Sequence, residues 1–187
     1  MQVYLLRGAD DDGALRPADA FDWVGRGGTP FVGVWPDPIL APYAGQVWQG
    51  LDCSVLSAAT DGIVLSARAV AALGPFVGSA VLHPVLVLGL RYHWLNVLDE
   101  VDALSDATEG ERVAGFLVSV RRLVFRQAEM VGAPQLFRVP ELPAGFIFAR
   151  DQAVAAVEGL SGFRFDLVWS LSGGGVLDAP GLGDLGS

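Results

Sequence analysis

Lysine is absent from this chain, cysteine occurs once and histidine twice. Arginine is therefore the only strongly basic side chain, and 12 arginines against 21 acidic residues leave a net charge of −9. A surface this acidic lacks the basic footprint that phosphates need, which argues against nucleic acid as a direct ligand. It favours solubility, or attraction to a basic partner. A lone Cys53 excludes an intrachain disulfide and fits a reducing compartment. Long apolar runs are missing as well, although the chain is 52% hydrophobic with a mean hydropathy of +0.44. Its longest apolar stretch, residues 80–90, is interrupted by His83 and Pro84 and falls far short of the roughly 20 residues that span a bilayer. The first residues, Met1 to Arg7, carry no basic segment followed by an apolar one. The expectation is a cytoplasmic protein without membrane association.

What is present reads as one α+β domain over residues 1–171, with a largely antiparallel mixed sheet, a few short helices, and a flexible Gly-rich tail over 172–187. Within it, residues 1–50 form a loop-rich N-terminal part and 51–171 the core. Val3 to Leu6 opens the chain as a strand. The next forty residues hold many Gly and Pro, with Trp23, Trp35, Tyr43 and Trp48 as aromatic anchors. Only short strands such as residues 31–35 fit there, because Pro36, Pro38 and Pro42 bar long regular elements. Ile63-Val64-Leu65 predicts a strand, Ser66 an N-cap, and residues 67–73 a helix stopped by Gly74-Pro75. Residues 80–88 and 92–98 predict an antiparallel pair joined through Gly89-Leu90-Arg91. Residues 99–112 read as an acidic turn region, 116–126 as a strand or hairpin, and 136–139 and 146–148 as short strands. Residues 151–158 predict a helix ended by Gly159. Phe163, Phe165, Leu167 and Trp169 alternate with more polar positions and predict a strand with one aromatic inner face. The segment from Gly62 echoes the one from Gly145: each is a strand leading into an Ala-rich helix. That repetition predicts a sheet with its helices on one face.

No motif assembles a catalytic centre. Cys53 with His83 or His93 is the candidate nucleophile and base, since a thiolate needs a nearby base or cation. The carboxylate of its neighbour Asp52 opposes that ionisation. Neither His-x-x-x-His nor Cys-x-x-Cys spacing occurs, so no zinc signature exists. The acids of residues 99–109 lack the ligand spacing of a calcium loop and read as a solvated turn. Gly181, Gly183 and Gly186 match G-x-G-x-x-G only as a string, at the chain end with no helix after them. Neither a cofactor nor a metal is expected.

From about Ser54 to Trp169 the order of features resembles a bacterial family of immunity proteins from polymorphic toxin systems, typified by myxobacterial members. The matching pieces are Ile63-Val64-Leu65-Ser66 before a short helix, Leu82-His83-Pro84-Val85, and Arg91-Tyr92-His93-Trp94-Leu95-Asn96-Val97. Val101-Asp102-Ala103-Leu104, Phe137-Arg138-Val139, Phe146-Ile147-Phe148 and Leu160-Ser161-Gly162-Phe163-Arg164-Phe165 follow in order. The resemblance implies a non-enzymatic protein that binds and neutralises a cognate toxin by covering it. It brings no catalytic residue with it.

The sequence reading is thus an immunity-type binding protein whose partner is a cognate protein toxin, basic in character. Its alternatives are a small enzyme with a site near Cys53 and a histidine, or a structural homo-oligomer such as a homodimer. Candidate partner contacts are the acids Asp10, Asp11, Asp12, Asp99, Glu100, Asp102, Asp106 and Glu109. Trp35 and Trp48 join them as anchors, because Trp is enriched at binding hot spots.

Overall fold

The computed structural model describes residues 1–8, 14–18, 28–43, 46, 48–56, 62–143 and 145–175. Asp10, Asp11, Asp12, Trp23 and the tail beyond residue 175 lie outside them.

In chain order the strands are β1 (Gln2–Arg7), β2 (Leu15–Pro17), β3 (Ile39–Pro42), β4 (Cys53–Leu56) and β5 (Gly62–Leu65). After helix α1 (Ala67–Leu73) come β6 (Val81–Val87), β7 (Leu90–Asn96), β8 (Glu109–Val113) and β9 (Phe116–Arg122). Helix α2 (Gln127–Val131), β10 (Leu136–Phe137), β11 (Ile147–Arg150), helix α3 (Asp151–Ala156), β12 (Arg164–Ser170) and β13 (Gly174–Gly175) complete the fold. The class is α+β with mostly antiparallel pairing.

Three layers share the apolar residues. A five-stranded sheet runs β10-β11-β1-β12-β13, with β1 in its middle. A closed barrel runs β2-β3-β6-β7-β5-β4, and β8-β9 forms a separate hairpin. The sheet lies between the other two. Val3, Leu5, Phe137 and Phe148 point to the hairpin side, where they pack with Leu117, Leu123, Phe125 and Met130. Leu6, Leu136, Ile147 and Ala149 point to the barrel side, where they meet α1, α3 and the barrel's outer wall. A sheet covered on both faces explains why Val3 to Leu6 reads as a continuous apolar run and not as an alternation. The barrel interior is a third cluster, of Leu15, Leu40, Leu56, Val64, Val85, Val87, Tyr92 and Trp94. Dividing the apolar content among three cores lets a 52% hydrophobic chain fold without any long apolar run.

The β5–α1 unit forms as its sequence predicts. Ser66 Oγ accepts the Ala69 N–H at 3.2 Å, and the helix ends at Gly74. The echo between the two strand-helix units has a physical counterpart: Ala69 and Leu73 of α1 pack in the same core as Ala153 and Val157 of α3.

Five sequence expectations are corrected. Residues 31–35 form no strand, because Gly33 sits at φ 121°. β7 begins at Leu90, because the turn is Leu88-Gly89, with φ 50° and 80°. The acidic stretch contains a strand, β8, closed on β9 by Ala114-Gly115 at φ 51° and 91°. The strand or hairpin expected over 116–126 ends at Arg122, because Val124 and Arg126 bond instead to the backbone of Ser105 and Ala103; α2 follows at Gln127, and Met130 places it on the face opposite α1 and α3, so the helices do not share one face. β12 is bulged: Val3 pairs with Trp169 and Tyr4 with Leu167, leaving Val168 unpaired. That extra residue switches the face, so Phe163 and Phe165 pack toward the barrel side while Val168 and Trp169 pack toward the hairpin side.

Candidate interaction surface

Residues 31–35 lie against the barrel as an apolar strip, with Phe31 and Trp35 both packed on His83 of β6. Trp35 stacks on His83 at 4.1 Å and on Trp94 at 5.8 Å, and its indole N–H donates to the Pro84 carbonyl. Phe31 packs edge-on against Trp35 at 5.1 Å. Between these rings Val32 and Val34 face solvent, 90% and 91% exposed. Ile39, Leu88 and Leu90 on β3 and the β6–β7 turn are further exposed apolar side chains. Burying a valine gains roughly 1.5 kcal/mol, so two left in solvent beside an aromatic stack are the candidate for an interaction surface.

Trp35 is therefore half-buried with its ring in the barrel stack. Trp48 likewise packs against the barrel core, edge-on to Tyr92 at 5.6 Å. Sequence reasoning picked the tryptophans and missed the valines. The missed signal was Gly33 between two valines, with Pro36 after them: an apolar segment unable to pair as a strand.

The acidic run is held by the chain's own arginines. Glu100 pairs with Arg138, Asp102 with Arg126 at 3.0 Å, and Glu109 with Arg122 at 2.6 Å. Asp99 accepts the Ser79 N–H at 2.9 Å. Asp106 is exposed and makes no such contact among the described residues. Arg138 is buried, and its Nε donates to the Val97 carbonyl at 2.9 Å. Beside it Asn96 accepts the Gly28 N–H at 2.7 Å and donates to the Thr29 carbonyl at 2.8 Å, which ties the approach to the strip onto β7. These pairs neutralise much of the patch, so the acids predicted as partner contacts carry less free charge than their number suggests.

The cysteine and histidines are not brought together. Cys53 is fully buried between barrel and sheet, with Sγ 4.0 Å from the Arg7 carbonyl. Burial first, and the Asp52 charge second, push its thiol far above the usual range. His83 faces the barrel interior, where burial depresses its pKa. His93 lies across β5 from Cys53 in register with Leu65, about 10 Å away at the usual strand spacing. Burial, then the Arg91 charge, hold it low as well.

Asp52 is a structural node. Its carboxylate accepts from Ser66 Oγ at 2.8 Å, Ser161 N–H at 3.0 Å and Ser161 Oγ at 3.1 Å, with Arg68 at 3.5 Å. Desolvation works to raise its pKa, but the hydrogen bonds and Arg68 outweigh it and hold the carboxyl low. A lowered carboxyl contributes stability above its unfolded value of roughly 4, lost as pH falls through the folded value. Asp52→Asn is expected to destabilise by about 1–3 kcal/mol at pH 7. In urea melts the gap to wild type should shrink as the solution is taken below pH 4. A gap independent of pH would mean that the charge at this node contributes nothing.

Comparison with family models and with curated proteins gives no match.

Proposed function

We propose that this chain is a non-catalytic binding protein of the immunity type, which neutralises a cognate protein toxin by covering it. The observation that carries the reading is the exposed Val32–Val34 pair, flanked by Phe31 and Trp35 packed against the barrel. Apolar side chains displayed this way gain free energy only when another surface covers them. The net charge of −9 supports a basic partner through faster encounter. The toxin-immunity assignment itself rests on the order of sequence motifs from Ser54 to Trp169. Cytoplasmic placement belongs to the same proposal, and no helix among the described residues is long and apolar enough to cross a membrane.

The test is co-purification of the tagged chain with the product of the adjacent gene, together with rescue of growth when that product is expressed. Binding with rescue is the expected outcome. A folded chain that neither binds nor rescues sinks the proposal.

A homodimer is the second reading. All five residues of β8 are exposed, and among the described residues the strand pairs on one side only, with β9. Such an open edge can accept another strand. Light scattering of the purified chain separates a stable dimer from a monomer that awaits a partner.

A further inference from the structure

A groove of about 440 Å³ runs between α3 and β12, away from the apolar strip. Its volume lies within the range of ligand pockets. Phe163 and Phe165 contribute two half-exposed rings, 5.9 Å apart with planes within 7° of parallel. Tyr4 stands edge-on to Phe165 at 6.4 Å. Two-residue alternation puts Phe163 and Phe165 on the same, barrel-side face, and the register shift beyond them turns Trp169 to the other side. Two exposed carboxylates stand at the rim, Asp151 at the start of α3 and Glu158 just past its end.

The charges around the groove are unequally committed. Asp151 Oδ2 accepts the Gln2 N–H at 3.1 Å and lies 3.8 Å from the N-terminal ammonium. Arg68 reaches the Gly159 carbonyl at 3.4 Å, but its guanidinium is paired with Asp52 at 3.5 Å. The Glu158 carboxylate has no hydrogen bond or ion pair among the described residues. Aromatic faces are electron-rich, and an unpaired carboxylate beside them makes the groove attractive to a cation. Arginine fits better than lysine. Its planar, weakly hydrated guanidinium stacks on rings and presents a fork to a carboxylate, whereas an ammonium is compact and strongly hydrated.

We propose that this groove receives an arginine side chain of the protein partner, its guanidinium lying on Phe163 and Phe165 and paired with Glu158. The partner's being a protein rests on the binding-protein reading above; the recognition of a guanidinium does not.

The test is a titration of the full-length chain with N-acetyl-arginine amide, followed by amide chemical shifts. N-acetyl-citrulline amide, a neutral isostere, serves as the control. Saturable shifts centred on residues 154–165 are expected, with the citrulline compound weaker by about three- to tenfold, the range of one cation–π and one carboxylate contact. Glu158→Gln should weaken arginine binding by a similar factor with an unchanged Tm, because Glu158 is exposed and unpaired. Phe163→Leu should weaken it as well. Absence of saturable shifts, equal binding of citrulline, or an unaffected Glu158→Gln variant would each overturn the groove. A toxin complex that persists when arginine fails to bind sinks the groove alone. Arginine binding that follows this pattern in a chain without a toxin partner sinks the immunity reading alone.

Discussion

Trp94→Ala is expected to lower stability by about 3–5 kcal/mol, the range for truncating a large buried aromatic. Trp94 is 2% exposed and fills the barrel interior, stacked with His83 at 5.5 Å and with Trp35 at 5.8 Å. Its removal leaves a cavity bordered by strands that pair around a closed ring, so the walls have little freedom to collapse inward. For a chain of this size each kcal/mol shifts Tm by roughly 2–4 °C, so calorimetry should show a fall on the order of 10 °C. Trp94→Phe retains much of the volume and should lose less than half as much. The damage should extend to binding, because Trp35 rests on Trp94 and holds the Val32–Val34 strip in place. If Trp94→Ala melts within a degree or two of wild type, the barrel interior is not packed as described.

Gly162→Ala is expected to destabilise by about 2–4 kcal/mol, through two additive causes. The residue sits at φ 82°, and a Cβ there would lie 2.0 Å from the Cys53 carbonyl oxygen. That oxygen belongs to backbone bound on both sides, since the Cys53 N–H donates to the Ser161 carbonyl at 3.1 Å and β4 pairs with β5. It has no room to yield. Gly159 is the internal control: its φ is 81°, yet a Cβ would meet nothing within 4 Å. Gly159→Ala should therefore show only the left-handed backbone penalty, about 1–2 kcal/mol. Equal losses from the two substitutions in denaturant melts would mean that the close approach of the 159–163 turn to β4 is unimportant.

Local chemistry made much of this fold readable in the sequence. The β5–α1 unit follows from three β-prone residues, a Ser66 cap and a Gly74-Pro75 stop, all within one short window. The β6–β7 pair was readable from its apolar pattern, but its turn was displaced. Leu88 and Ala114 occupy positive-φ turn positions that usually signal themselves with Asn, Asp or Gly. Barrel closure was not readable, because it depends on distant pairings such as Leu15 with Leu56 and Ile39 with Leu86. The bulge at Val168 was hidden because Val, Leu and Trp suit either face of a buried strand. The same limit governed the surface. The acids were visible as a run, but their partners lie far along the chain, with Arg138 38 residues after Glu100. Val32 and Val34 looked like strand residues, and only the stacking of Trp35 on His83 shows why they face outward.

The central claim is that the exposed apolar strip is the surface the partner covers. The most direct test is calorimetric titration of the wild-type chain and a Val32→Asp/Val34→Asp variant with the purified product of the adjacent gene. Both valines are about nine-tenths exposed and contribute little to folding, so the variant should melt like wild type. The account predicts a stoichiometric wild-type complex whose affinity falls at least tenfold in the variant, since two buried valines are worth roughly 3 kcal/mol and 1.4 kcal/mol is tenfold. A complex of unchanged affinity in a folded variant would contradict the assignment of the strip, and the absence of any wild-type complex would contradict the account as a whole.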